Sequence, residues 1–269
     1  MKKCYATTLT HGDAYAPGVE ALGRSLKATG TREPMVLMVT RDVPQAARLR
    51  LADQGWALRE IEPVKNPTPV GQQLFSRFDK VFTKLRAWEL VDFDKVVLLD
   101  ADMVVRRSID ELFERPELSA APDFLLPHRF NSGLMVLDPG SDKLQRMMAA
   151  LAASPSYDGG DQGFLNDFFG DWYTGSGDRR LPTWYNLPNF IFQFMHGHAS
   201  LRAESEREAR VIHYLVQKPW QSASTVTGGS SMWWDAYHGV HPELDNEWKR
   251  RLHAIEDRSF DRAVAAFVG

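Results

Sequence analysis

Apolar and polar positions along the first hundred residues alternate between two periods. Cys4 to Leu9 is an apolar run suited to a strand. Pro17 opens a helix at the first helical position, where its missing N–H costs nothing, and Val19, Leu22 and Leu26 share one face. Met35 to Val39 reads as a second strand. Asp42 and Pro44 open a helix that runs through about Asp53, and Ala57 to Ile61 reads as a third strand. Asn66-Pro67-Thr68-Pro69 is a loop. Phe78, Val81, Phe82, Leu85 and Trp88 return to helical spacing ahead of an apolar strand over Lys95–Leu99. This βαβ alternation predicts a parallel, right-handed sheet of the nucleotide-binding kind.

The pattern changes after Asp102. Phe124-Leu125-Leu126 and Gly133 to Leu137 read as strands around a turn at Arg129-Phe130-Asn131-Ser132. Ser141 caps a helix with Leu144, Met147, Met148 and Leu151 on its inner face. Asp161 is a candidate cap for the next, which carries Phe164, Leu165, Phe168 and Phe169. Residues 171–200, rich in aromatics, Pro and Gly, read as irregular. Val211-Ile212-His213 is a short strand, and the last stretch is helical and charged. There is no internal repeat, low-complexity tract or clear linker. The expected architecture is therefore α/β: one domain over residues 1–240, with a helical extension over 241–269 packed on it.

Composition narrows the function classes. The chain's 269 residues are enough for a full core. A net charge of −3 argues against nucleic acid as a partner, because phosphate-backbone binding needs a basic face. Cys4 is the single cysteine, so no internal disulfide can form, and a reducing, cytoplasmic setting is expected. Met1-Lys2-Lys3 is basic but no apolar core of a signal peptide follows, and no stretch reaches transmembrane length.

The candidate chemistry centres on Asp100-Ala101-Asp102. It follows Val96-Val97-Leu98-Leu99, where a buried parallel strand ends and where ligands bind in open α/β sheets. Two carboxylates one residue apart can share a hard divalent cation such as Mg²⁺ or Mn²⁺, which also grips phosphate oxygens. Acidic residues also end strands simply as turn formers, so the triplet needs support from elsewhere.

That support is an ordered set of segments. Thr83-Lys84-Leu85-Arg86-Ala87-Trp88 precedes the triplet, and Asn131-Ser132-Gly133 follows it. Asp158-Gly159-Gly160-Asp161-Gln162-Gly163 comes next, then His213-Tyr214-Leu215-Val216-Gln217-Lys218-Pro219-Trp220, and last Trp233-Trp234-Asp235. In this order, from about Tyr5 to Tyr237, the chain resembles the glycogenin and galactinol synthase branch of the family 8 glycosyltransferases. The resemblance implies a GT-A fold, a Rossmann-like, mostly parallel mixed sheet flanked by helices. It also implies retaining transfer of a hexose from UDP-glucose or UDP-galactose with Mn²⁺, Mg²⁺ being the alternative.

Carried over residue by residue, the resemblance makes Asp100, Asp102 and His213 the metal ligands; imidazole suits Mn²⁺ better than Mg²⁺. A lone histidine after a strand is otherwise an ordinary structural residue. Lys218 matches a diphosphate contact that neutralises the leaving UDP, against the alternative of a solvated lysine. Lys84 matches a donor contact, or else an exposed helix charge. Leu9 and Tyr15 match the walls of a uracil slot, or else core packing. Arg77 is a further donor candidate, although its spacing to Lys84 departs from the family form. Ala101 and Ser132 lie within the same donor-binding segments. Asn131, Asp158, Asp161 and Gln162 match the sugar-reading set, since Asn, Asp and Gln supply the donors and acceptors that hexose hydroxyls require. Asp161, Gln162 and Lys218 are the catalytic candidates. Retention is compatible with a covalent double displacement or with front-face attack.

Three departures bear on the acceptor, the diphosphate loop and the uracil slot. Pro188-Asn189-Phe190-Ile191-Phe192-Gln193-Phe194 occupies the stretch of the self-glucosylated tyrosine of glycogenin, and it contains no Tyr, Ser or Thr. Val216 stands where many members have glycine, and His11-Gly12 replaces Thr-Asn. A separate hydroxyl acceptor, a sugar or inositol stacked near Trp184, Tyr185, Phe190 and Phe192, is therefore expected over a self-glucosylating primer, the alternative for these aromatics being core packing. A homodimer is compatible with the chain. A dehydrogenase is disfavoured because no G-x-G-x-x-G follows the first strand.

Overall fold

The computed structural model describes residues 1–68, 76–151, 153, 156–215, 218–221 and 230–238. Strands β1 (Lys3–Leu9), β2 (Met35–Val39), β3 (Trp56–Glu60) and β4 (Lys95–Leu99) form the parallel part of the main sheet. Helices α1 (Ala16–Ala28) and α2 (Gln45–Asp53) make the crossovers between the first three strands. A 3-10 segment over Ser76–Glu89 takes the place of the predicted α-helix before β4.

Beyond β4 the chain adds β5 (Met103–Val105), β6 (Ser119–Pro122) and β7 (Phe130–Leu137), then helices α3 (Ser141–Leu151) and α4 (Asp161–Phe168). The six-stranded order is β3-β2-β1-β4-β7-β6, with β7 antiparallel to both its neighbours. All of β4 is buried. Val97 and Leu99 enter the core layer that contains α1 residues, while Val96 and Leu98 enter the opposite layer with Phe82, Leu144 and Phe164. Burial on both faces explains why β4 reads as a continuous apolar run without alternation.

A second, smaller sheet decides the site. Strands β8 (Leu187–Pro188) and β9 (Val211–His213) join β5 in the order β5-β9-β8. Helices α5 (Asn189–Gly197), α6 (Ala199–Glu208) and α7 (Ser230–His238) complete the described chain. The register sets Met103 opposite His213, so the residue after Asp102 is paired with the distant histidine.

Several expectations are corrected. Phe124-Leu125-Leu126 is not a strand, because Asp123 Oδ1 accepts the amide N–H groups of Leu125 and Leu126 at 2.9 and 3.0 Å and curls the segment into a turn. The strand lies earlier, in Ser119-Ala120-Ala121-Pro122, whose small side chains carry little periodic signal. Phe130 to Ser132, read as turn, already belong to β7. Residues 171–200 contain α5, which begins directly after Pro188. Residues 241–269, the expected extension, lie outside the described residues. Among the described residues no helix is long and apolar enough to cross a membrane.

Candidate metal centre

The carboxyl end of β4 delivers Asp100, and the Asp100 N–H donates to Gly133 O at 2.8 Å across the start of β7. Three residues on, at Met103, the chain enters β5, and the β5–β9 pairing brings in His213. Asp100, Asp102 and His213 are the only described residues that group as three or more His, Cys, Asp or Glu able to hold one ion, with ligand atoms within 4.8 Å of one another. His213 Nε2 lies 3.2 Å from Asp102 Oδ1 and 3.9 Å from Asp100 Oδ2. Glycine is required at 133, because a Cβ there would collide with the His213 ring and Met103.

The polarity of the histidine is fixed by a chain of hydrogen bonds that begins at a carboxylate. Asp123 can only accept, so Asn131 Nδ2 donates to its Oδ2 at 3.2 Å. Asn131 Oδ1 therefore accepts from Asn186 Nδ2 at 2.8 Å. Asn186 Oδ1 then faces His213 Nδ1 at 2.8 Å and accepts its proton. In the neutral imidazole this polarity leaves Nε2 as the free ligand atom beside the two carboxylates, the arrangement a divalent cation would need. Asp102 Oδ1 is buried without a hydrogen-bond partner, as expected of an atom whose partner is an ion. The residues present therefore fit a divalent metal. Asp123 and Asn186 were not among the sequence candidates. Neither has a metal-ligand signature, and only the fold brings them to His213.

Two buried lysines balance the carboxylates. Lys84 Nζ bonds Asp100 Oδ1 at 2.8 Å and Asp161 Oδ2 at 2.9 Å, and donates to Ser132 O at 3.2 Å. Burial alone would lower its pKa, but Asp100 and Asp161 together raise it above the ordinary lysine range. Lys84 is thus no exposed helix charge; it is the bridge between the metal group and α4. Burial, with the charge of Asp102 added, pushes the Asp100 carboxyl up against the pull of Lys84. Burial works the same way on Asp102, yet the Lys218 ammonium against it holds its carboxyl well below the usual range.

Lys218 sits at the group but faces inward. Its ammonium bonds Asp102 Oδ2, Tyr214 O at 2.6 Å and Leu215 O at 3.1 Å, which uses all three of its protons. Contact with a diphosphate requires it to turn from Asp102. Asp161 is not a helix cap, since the cap position falls on Gly160. It occupies the first turn of α4, where the helix dipole favours its charge, and accepts Ser132 Oγ at 2.8 Å. Gln162 accepts Ser132 N at 3.2 Å and donates to Asp123 Oδ2 at 3.1 Å, so one carboxylate orients both Asn131 and Gln162. Asp158 Oδ1 gathers Ser156 Oγ, Gly160 N and Gly163 N, and so builds the turn that enters α4.

The proposed uracil slot divides. Leu9 is fully buried in the core, and a side chain without accessible surface offers no face to a base. Tyr15 remains at the edge, its ring 5.5 Å from Trp220, whose Nε1 donates to Ala14 O at 2.8 Å. Ala101 packs its carbonyl and Trp220 its ring against Gly18, a close approach that a Cβ would prevent. The Arg77 side chain, Val216 and Gln217 lie outside the described residues. Of the four aromatics expected to stack an acceptor, Trp184 and Phe192 pack on the second sheet, Tyr185 donates to Glu111 Oε1 at 2.8 Å, and Phe190 stays exposed.

If Asn186 holds the histidine, Asn186→Ala should weaken Mn²⁺ binding by about 10- to 100-fold, the usual effect of removing such a partner. A metal titration with unchanged affinity would show that His213 is oriented by other contacts.

Residues 7–224 match the family described as glycosyl transferase family 8. Glycogenin-1 of Caenorhabditis elegans is 33% identical over 263 residues, covering 94% of this chain and 61% of that protein. A protein of Arabidopsis thaliana described as putative UDP-glucuronate:xylan alpha-glucuronosyltransferase 4 is 33% identical over 225 residues, covering 82% of this chain and 37% of its own length. The chain thus spans about two fifths to three fifths of these relatives. In fold it is similar to the galactosyltransferase LgtC, solved with donor and acceptor sugar analogues, with a TM-score of 0.61 at 18% identity over 91% of this chain and 99% of the other. The architecture is that of the GT-A glycosyltransferases.

Proposed function

Because the chain belongs to glycosyl transferase family 8, we propose that it moves a hexose from a UDP-sugar to the hydroxyl of a separate acceptor, with retention and with Mn²⁺ at Asp100, Asp102 and His213. The observation that carries this reading is the convergence of His213 Nε2, its Nδ1 held by Asn186, on two strand-end carboxylates. A bound divalent ion supplies charge to the diphosphate of the donor. The chain's own residues do the rest. Asp161 and Gln162, oriented by Ser132, Lys84 and Asp123, supply charge and hydrogen bonds to the sugar beside the ion. Lys218, released from Asp102, stabilises the leaving diphosphate. Proton transfer from the acceptor to that diphosphate completes a front-face route, and no separate carboxylate nucleophile is required by this arrangement.

The acceptor is read as a separate molecule because residues 188–194 contain no hydroxyl side chain. Intact-mass spectrometry after incubation with UDP-glucose and Mn²⁺ tests this. The expected result is a protein of unchanged mass, with hexose on an added acceptor. A ladder of hexose additions on the chain would contradict it and establish a primer.

A further inference from the structure

An exposed apolar surface grows from the same side chains that orient the site. Phe124 and Leu125 directly follow Asp123, and the turn they form hangs on Asp123 Oδ1 while Oδ2 holds Asn131 and Gln162. From the other side, Asn186 holds His213, β8 pairs Pro188 with His213, and α5 begins at the next residue. Phe190 and Phe194 are one helical turn apart on α5, and Phe190 meets Phe124 edge to face at 5.4 Å. Phe192, between them, is buried in the core. The outer side chains are open to solvent: Phe124 is 48% exposed, Leu125 79%, Leu126 40%, Phe190 38% and Phe194 50%. Contiguous apolar surface of this kind marks a binding site more often than scattered single residues do.

We infer that this surface receives an apolar aglycone, an alkyl or aryl group attached to the acceptor, while the acceptor hydroxyl lies toward Asp161 and Gln162. The inference rests on the glycosyl-transfer reading and specifies its acceptor class. The residue types decide between occupants. A bare sugar or inositol needs hydrogen-bonding groups around its stacked ring. Here the side chains are Phe and Leu; Leu125 and Leu126 have neither a π face nor a polar atom. Such a surface gains free energy only from apolar area removed from water. Its two roots, Asp123 and Asn186, are the side chains that hold Asn131, Gln162 and His213, so the surface continues in the chain directly from the groups that orient the site.

The test measures binding of n-alkyl glucosides from methyl to octyl, below their micelle concentrations, by ligand-observed NMR with UDP and Mn²⁺ present. The comparison is with Leu125→Ser/Phe194→Ser, whose fold is checked by circular dichroism. The expected result is affinity rising about two- to fourfold per added methylene in the wild type, as for methylenes taken out of water, and a flat series in the variant. Affinity independent of chain length would overturn the inference, as would the same slope in both proteins. A variant that changes the sedimentation coefficient while the wild-type series is flat would instead assign the surface to contact between copies. UDP release from UDP-sugars, assayed in parallel, separates the two readings. Turnover with a flat series removes only the aglycone. No turnover of any donor removes the glycosyl transfer itself.

Discussion

Asp102→Asn and His213→Ala should each lower Mn²⁺-dependent UDP-sugar turnover by about a hundredfold or more, while circular dichroism remains that of the wild type. Each change removes one ligand from a group whose three members converge within 4.8 Å, so the loss falls on metal binding and on the charge supplied to the diphosphate. The fold should persist because neither side chain belongs to the apolar clusters around the main sheet. The carboxamide that Asp102→Asn introduces also keeps an oxygen for Lys218. Full activity in either variant, or activity unaffected by excess chelator, would remove the metal assignment.

Lys84→Met should cost stability more than any other single change in the site. The ammonium is buried between Asp100 and Asp161, and removing one partner of a buried ionic group strands the other charges. The expected loss is about 3–5 kcal/mol in urea denaturation at neutral pH. Proton linkage gives the sign of its pH dependence. Without the lysine, the stranded carboxyls have raised folded-state pKa values, so folding favours their protonated forms. The difference between variant and wild type should therefore narrow as the pH falls toward about 4.5. A difference below about 1 kcal/mol would place Lys84 among surface ion pairs, whose effect is small.

These residues show how far the sequence alone reaches. β4 was legible because a continuous apolar run reads as a buried strand, while its acidic end stood out as a site only through the ordered segments around it. The first three strands and α1 were legible for a similar reason, since their periods are regular and their breakers plain. β6 was not, because Ser119, Ala120 and Ala121 pack by smallness and leave no hydrophobic alternation. Phe124-Leu125-Leu126 misled for the opposite reason. Three large apolar residues suggest a strand, yet Asp123 ties down their amides and leaves the side chains in water. His213 was found through the motif around it, whereas Asn186 and Asp123, which set its tautomer, carry no local signal. Their part depends on β8 lying beside β9 and on β7 beginning next to the turn. Lys218 was singled out as a diphosphate contact or a solvated lysine, and its inward bonds to Asp102 and to the Tyr214 and Leu215 carbonyls, which no local pattern signals, come from the fold.

The central claim is that Asp100, Asp102 and His213 hold one divalent ion that receives the diphosphate of a UDP-sugar. Its most direct measurement is an electron paramagnetic resonance titration of Mn²⁺ into the wild-type protein and His213→Ala, each with and without UDP. One equivalent of Mn²⁺ per chain should leave the free-ion signal in the wild type, more tightly when UDP is present, with this binding lost in the variant. Equal Mn²⁺ uptake by both proteins, or wild-type uptake that UDP leaves unchanged, would contradict the claim.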